Sequence, residues 1–356
     1  MVKIAIIDPS SYSIPYDYFY IEELKKEFQV DFYFSSCSSN YEYIRKLEGQ
    51  KNVMLCEYPI SPSAVSKLSG IINYFRMLKD IWLKRGGYYK IHFIWSIFFF
   101  FESVLFLFIR EKLIFTFHND VPHSYKKKRY FPYRLISKLT SKSVFVSQYT
   151  MQRFIDSYGE EGNERLIQHG VMPIDDLTSS QMHSQVQKVE SVIVFWGRVE
   201  EYKGVDLFLN SKLGHSIEIY GKWSPKLKLL KGELSKNENI LIEDNYLPMV
   251  ELAALLSRDV VFILPYKDAT QSGVLYTLLA YGKVFISSDV GENKEFLIKH
   301  GLDKLIFDRE NIDSVIRAID YAIKEYSEIR AKLLVIKNEY EWCNVMMDKK
   351  IMELYG

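Results

Sequence analysis

Two cations five residues apart, Arg198 and Lys203, lie on a loop bracketed by Gly197 and Gly204. The loop follows an apolar run, Ser191–Trp196, that reads as a buried strand. A second motif, Thr270-Gln271-Ser272-Gly273-Val274, follows another apolar run, Val260–Pro265, and opens a helical pattern that ends at Gly282. A guanidinium grips two phosphate oxygens at once, and an ammonium supplies a mobile point charge. Gly273 permits close backbone approach to a ligand, Ser272 adds a hydroxyl, and the start of a helix attracts anions. The two motifs therefore read as a cradle for a diphosphate, cations from one loop and backbone N–H groups from the other. A diphosphate is the leaving group of a nucleotide sugar. Each motif also has a plainer reading. The first could be a surface turn with two solvated cations, and the second an ordinary N-cap on Ser272 or Thr270.

The elements that must hold these loops alternate between strand-like and helix-like segments. In the first half, strands are expected at Ile4–Asp8, Val30–Ser35, Val53–Cys56, Lys90–Trp95, Leu113–His118 and Ser143–Ser147, with a helix around Phe19–Phe28. A polar stretch, Asp175–Lys188, reads as a linker. After it, strands are expected at Ser191–Trp196, Ser216–Tyr220, Ile240–Glu243, Val260–Leu264 and Val284–Ser287. Helices are expected at Gly204–Leu209, Met249–Leu256, Gly273–Tyr281, Lys294–Lys299 and Ile312–Tyr326. Such alternation predicts α/β architecture: two doubly wound, Rossmann-like domains facing a central cleft, over residues 1–178 and 189–335. Residues 336–356 are expected to form a C-terminal helix packing back toward the first domain, with Trp342 as its anchor.

A length of 356 residues exceeds one typical core. The net charge of +1 speaks against a dedicated nucleic-acid binder. The three cysteines, Cys37, Cys56 and Cys343, form no Cys-x-x-Cys pair, which fits a reduced cytosolic setting without a zinc or redox site. The start Met1–Asp8 has too short an apolar part for a signal peptide. The run Ile91–Ile109 approaches membrane-spanning length, but His92, Ser96, Glu102 and Ser103 interrupt it, so it reads as a strand followed by a buried helix. Tyr125–Arg134 interleaves cations with aromatics, and its Lys126, Lys127, Lys128 and Arg129 suit an anionic membrane surface or else a solvated loop. His118 at a strand end is either a functional group or a satisfied structural one. Asn119 and Asp120 could bind sugar hydroxyls or form a turn.

Gly197-Arg198…Lys203-Gly204-Val205-Asp206 resembles the signature of retaining glycosyltransferases of the GT-B fold, family 4. Ala280–Ser288 with Gly291 and Glu295 resembles that family's next strand-and-loop block. Gln168–Val171 resembles the segment ending its first domain, and Thr116–Asp120 its acceptor-domain histidine segment. The resemblance implies that Arg198 and Lys203 bind the donor diphosphate, together with Gly197, Gln271, Ser272, Gly273 and Val274. It places Glu295 near the donor sugar hydroxyls, Asp244 and Asn245 near the base, and His118 near the transferred sugar. Ser10 and Tyr12 in the first turn, with Asn119 and Asp120, would face the acceptor.

This chain departs from the family in two places. A paired Glu before the Ala-x-Gly block is replaced by Ala269 and Thr277, which removes two donor-site carboxylates. The first turn, Pro9–Pro15, lacks the usual glycines, which also argues against a dinucleotide site. The resemblance implies a metal-independent hexosyltransferase with no cofactor beyond its nucleotide-sugar donor. Its acceptor would be a glycan or lipid-linked oligosaccharide of a bacterial surface polysaccharide (O-antigen, capsule or exopolysaccharide), and it would sit in the cytoplasm, peripheral to the membrane. The rival readings are a nucleotide-sugar epimerase or hydrolase of the same fold, and a non-catalytic binding homologue.

Overall fold

Strands covered by helices on both faces read as continuous apolar runs, because neither face meets water. The chain follows that rule. The computed structural model describes residues 1–11, 13–35, 41–60, 65–121, 130–174, 189–210 and 213–356. They form two compact units, Met1–Gly170 with Trp342–Gly356, and Val171–Glu341.

The first unit is built on a parallel sheet of β1 (Val2–Asp8), β2 (Phe28–Ser35), β3 (Val53–Tyr58), β4 (Lys90–Phe93), β5 (Leu113–Phe117), β6 (Lys142–Phe145) and β7 (Glu164–Leu166). The strand order is β3-β2-β1-β4-β5-β6-β7. Ile4 pairs with Val30 on one side and Lys90 on the other. The crossovers carry α1 (Ile14–Leu24), α2 (Tyr41–Leu47), α3 (Lys67–Lys84), α4 (Phe99–Ile109), α5 (Phe131–Leu139) and α6 (Gln148–Tyr158). The order reverses between β1 and β4, and the loops beyond their carboxyl ends diverge there to leave room for a ligand.

The second unit repeats the plan with β8 (Val192–Trp196), β9 (Ser216–Tyr220), β10 (Ile240–Glu243), β11 (Val261–Leu264), β12 (Phe285–Ser288) and β13 (Ile306–Phe307), in the order β10-β9-β8-β11-β12-β13. Its helices are α7 (Lys228–Leu234), α8 (Met249–Ser257), α9 (Gly273–Ala280), α10 (Gly291–Lys299), α11 (Ile312–Lys324) and α12 (Tyr326–Lys337). Here the reversal falls between β8 and β11, the strands that precede the two motifs. The last segment, α13 (Trp342–Val345) and α14 (Asp348–Tyr355), belongs to the first unit. Trp342 packs 5.2 Å from the Tyr16 ring, and the Tyr355 hydroxyl meets His92 Nδ1 at 2.7 Å.

Three expectations need correction. The first helix begins at Ile14, because Pro15 occupies its first turn, and it ends before Phe28, which opens β2. The helix expected over Ile312–Tyr326 is two helices divided at Glu325. The helix after β4 is not buried. Only Glu102, Leu105, Phe106 and Ile109 of α4 face the core, while Phe100 is 79% exposed and Phe108 65% exposed. The linker Asp175–Lys188 lies outside the described residues.

Candidate active site

In the second unit, β8 ends at Trp196 and the chain turns through Gly197, whose φ of 132° suits glycine. A Cβ on Gly197 would stand 3.2 Å from the Val274 side chain, so the Arg198 loop lies against the start of α9. The next turn, Glu201–Lys203, ends at Gly204 in the left-handed region with φ 70°. A Cβ there would come within 1.9 Å of the Pro265 carbonyl oxygen. Both motifs are therefore neighbours, held together by glycines where backbones nearly touch.

Lys203 is only 8% exposed. Its Nζ stands 3.6 Å above the Tyr266 ring, and the Tyr202 ring lies 5.2 Å away. Among the described residues, no carboxylate lies within ion-pair distance of it. Burial, and then the neighbouring Arg198 guanidinium, push its pKa down to about 7. The Tyr266 hydroxyl lies 3.3 Å from Ser272 Oγ. Ser272 caps α9 by accepting from Leu275 N–H, which leaves the Gly273 and Val274 N–H groups as first-turn donors without intrahelical acceptors. A buried cation without a counter-charge and a free helix start thus flank one tyrosine.

A cluster of polar groups sits under the same helix start. The α10 backbone meets the preceding loop where Glu292 N–H donates to the Ala269 carbonyl at 2.8 Å. The Tyr276 hydroxyl donates to Glu292 Oε1 at 2.6 Å, while Glu292 Oε2 has no partner. Burial raises the Glu292 pKa to about 8, against the lowering effect of Tyr276 and the Ser272 N–H. Both side-chain atoms of fully buried Asn293 and the Oε1 of Gln271 also lack partners among the described residues. Unpaired buried polar atoms are costly, and their concentration here fits a polyhydroxylated ligand.

The protonated state of Glu292 has a measurable consequence. The folded carboxyl holds its proton up to about pH 8, whereas an unfolded one releases it near about pH 4.3. The folded protein therefore loses stability as pH rises through that window. Glu292→Gln is expected to flatten this slope, with urea unfolding at acid and mildly alkaline pH as the readout. Glu292→Ala, which removes the Glu292 Oε1 acceptor of the buried Tyr276 hydroxyl, is expected to cost about 1–3 kcal/mol.

The other expected residues fall as follows. Asp244 accepts from Trp223 N–H at 2.9 Å and from Lys231 Nζ at 2.6 Å, so it is engaged in holding its own loop, and Asn245 is exposed. Glu295 is exposed, and the buried carboxyl of this segment is Glu292. Thr277 Oγ1 donates to the Gly273 carbonyl at 3.1 Å. Arg309, which the sequence reading did not single out, donates from Nη1 to the Gly204 carbonyl at 3.0 Å and also to that of Pro265. It locks the Lys203 loop against the strand end. Tyr266, Glu292 and Asn293 were missed as well, and of these only Glu292 and Asn293 lie inside a block that carried a family resemblance.

In the first unit, Asp8 ends β1 and its Oδ1 accepts from the N–H groups of Ser10 at 3.0 Å and Ser11 at 2.9 Å. Asp8 and Asp17 are both buried; burial raises both pKa values, and the Asp8 charge raises that of Asp17 further. Trp95 stacks on His118 with ring centroids 4.4 Å apart, and its Nε1 donates to Ser13 Oγ at 2.7 Å. His118 is buried with no partner for Nε2 among the described residues, and burial, then His169, push its pKa down to about 3. It is a neutral imidazole at physiological pH. Asn119 is buried, and Asp120 pairs with Arg153 Nε at 3.0 Å. Tyr12 and Lys126, Lys127, Lys128 and Arg129 lie outside the described residues.

Residues 190–325 match the family described as glycosyl transferases group 1. No curated protein shows significant sequence similarity to the chain. Among solved structures, Anabaena HepE in complex with UDP and glucose superposes with a TM-score of 0.73 at 12% identity, covering 99% of each chain. The lipopolysaccharide outer core galactosyltransferase WaaB gives a TM-score of 0.65 at 12% identity, again over 99% of each chain. UDP-GlcNAc 2-epimerase from Neisseria meningitidis gives 0.60 at 13% identity, over 99% of this chain and 100% of that one. The chain therefore has the GT-B fold of two Rossmann-like domains, and its second domain carries the group 1 glycosyl transferase pattern.

Proposed function

We propose that the protein is a retaining glycosyltransferase that takes its sugar from a nucleoside-diphosphate donor. The observation that carries this reading is the buried Lys203 ammonium, without a carboxylate partner among the described residues, beside a capped helix start. An ion in that position is costly until an anion arrives, and a departing diphosphate gains more negative charge than the bound donor has. Lys203, Arg198 and the Gly273 and Val274 N–H groups then stabilise the transition state more than the ground state. These protein cations supply the charge a metal would bring, so the scheme is metal-independent. The acceptor oxygen bonds to the anomeric carbon as the bond to the diphosphate oxygen breaks on the same face. The acceptor proton passes to a diphosphate oxygen, and the diphosphate leaves with the bonding electrons.

In this reading the donor sugar rests against Gln271 Oε1, Glu292 Oε2 and the Asn293 side-chain amide, which have no partner among the described residues. That cluster takes the place of the carboxylates missing at Ala269 and Thr277. His118, Ser10 and Asn119 of the first unit serve the acceptor, a glycan or lipid-linked oligosaccharide of a bacterial surface polysaccharide. The protein works in the cytoplasm, at the inner membrane face.

A protonated Glu292 near a sugar also suits an epimerase, which needs an acid and a base. The experiment is product analysis by NMR after incubation with nucleotide sugars, with and without saccharide acceptors. Transfer with unchanged anomeric configuration is expected. An inverted linkage would overturn retention, and an epimerised nucleotide sugar formed without acceptor would favour the epimerase.

A further inference from the structure

The two helices that flank β4 present apolar side chains to solvent on faces that the core does not use. In α4 the inward stripe is Glu102, Leu105, Phe106 and Ile109, yet Phe100, Phe101, Val104, Leu107 and Phe108 point outward. In α3 the inward stripe is Tyr74, Met77, Leu78 and Ile81, while Leu68, Ile71, Ile72, Phe75 and Leu83 are exposed. The two outer faces join. Phe75 meets Phe101 with centroids 4.9 Å apart, and Trp82 meets Phe108 at 4.8 Å. Between them runs an open groove of about 450 Å³ whose one charged lining residue is Lys79. A continuous apolar surface of this kind marks a contact surface.

The charges around it choose the occupant. Residues 67–112 hold eight Lys and Arg against three Asp and Glu, in a chain whose net charge is +1. Two of those acids are occupied: Glu102 is buried against Tyr74, Ser96 and the Ile97 N–H, and Asp80 accepts from the Tyr58 hydroxyl. Lys67, Arg76, Lys79, Lys84 and Arg110 are exposed, leaving Glu111 as the opposing exposed acid. The Arg85 guanidinium lies 3.7 Å over the Trp82 ring, an aromatic and cation pairing suited to headgroup depth. No described helix is long and apolar enough to cross a membrane, and α4 has 11 residues. Short helices with Phe and Leu outward and cations at the margin lie in the bilayer interface.

We infer that the outer face of α3 and α4 docks this protein on an anionic phospholipid bilayer, with Phe100, Leu107 and Phe108 entering the acyl boundary. The surface rests on its own geometry and draws on the proposed function only for its purpose, bringing the enzyme to a lipid-borne acceptor.

The test is vesicle flotation with mixed phosphatidylglycerol and phosphatidylcholine against pure phosphatidylcholine, on the full chain. Wild type is expected to float with the anionic vesicles and to be released by high salt. Phe100→Ser with Phe108→Ser should lower partitioning at least about tenfold at an unchanged melting temperature, since both side chains are mostly solvent-exposed. Arg76→Glu with Arg110→Glu should remove the preference for anionic lipid. Wild type that stays unbound with both vesicle types, or a Phe double variant that floats like wild type, would overturn the inference. So would a wild-type dimer by sedimentation velocity that the Phe double variant dissolves, because the face would then seat a second copy. A nucleoside-diphosphate thermal shift is read on each variant, so loss of the donor site and loss of membrane binding are separated.

Discussion

Lys203→Met is expected to abolish the thermal response to nucleoside diphosphates and, at the same time, to raise the melting temperature of the free protein. The two effects share one cause. Lys203 is held in a buried place with its ammonium against the electron-rich face of the Tyr266 ring. The folded pKa of about 7 lies below the ordinary lysine value of about 10.4. Between those values the unfolded chain keeps a proton that the folded one has released, so stability rises with pH across the window. Below about pH 7 both states are charged and the whole burial penalty is present. The methionine variant removes it, and its gain in stability should be largest in mildly acid buffer. A diphosphate reverses the balance, because its charge draws the proton back onto Lys203. Donor affinity in wild type should therefore fall as pH rises above about 7, by up to about tenfold per unit, and this slope should vanish in the variant. Turnover should drop about a hundredfold or more. A methionine variant with normal nucleotide binding, or one less stable than wild type, would contradict the assignment.

Gly204→Ala should be among the most damaging single-methyl changes in the second unit. At φ 70° an alanine bears a left-handed strain of about 1–2 kcal/mol. The added Cβ would also meet the Pro265 carbonyl oxygen at 1.9 Å and Arg309 Nη1 at 1.8 Å. The first is backbone, so the Glu201–Lys203 turn must move and carry the lysine away from Tyr266. A loss above about 3 kcal/mol is expected, with nucleotide binding lost as well. Gly49→Ala is the control, since Gly49 has φ 71° and nothing within 4 Å of its added Cβ. It should show the backbone strain alone, about 1–2 kcal/mol by urea unfolding. Equal losses at the two positions would mean that the Gly204 contact does not hold the loop.

Much of the sheet was legible because parallel strands are buried on both faces and so stand out as short apolar runs, as Ile4–Asp8 and Val261–Leu264 do. The strand ends were legible for the same reason, and with them the loops of Gly197 and Ser272. Helices were harder. The 18-residue α3 has an ordinary inward stripe, but exposed Leu68, Ile71, Ile72 and Phe75 blur its periodicity. The same outward apolar set made α4 read as buried. At the site, cations on Gly-bracketed loops are visible in sequence, whereas Tyr266, Asn293 and Arg309 act through contacts that no spacing records. Glu292 lay three residues before the Glu295 that the family resemblance favoured, and burial separates them, the first enclosed beneath α9 and the second in solvent.

The most direct measurement is a calorimetric titration of the wild-type protein with UDP, GDP, ADP and CMP at neutral pH, in buffers of different ionisation enthalpy. The account predicts saturable binding of one nucleoside diphosphate with uptake of a fraction of a proton, as Lys203 recovers its charge. Absence of binding to every nucleotide, or binding without proton uptake, would contradict it.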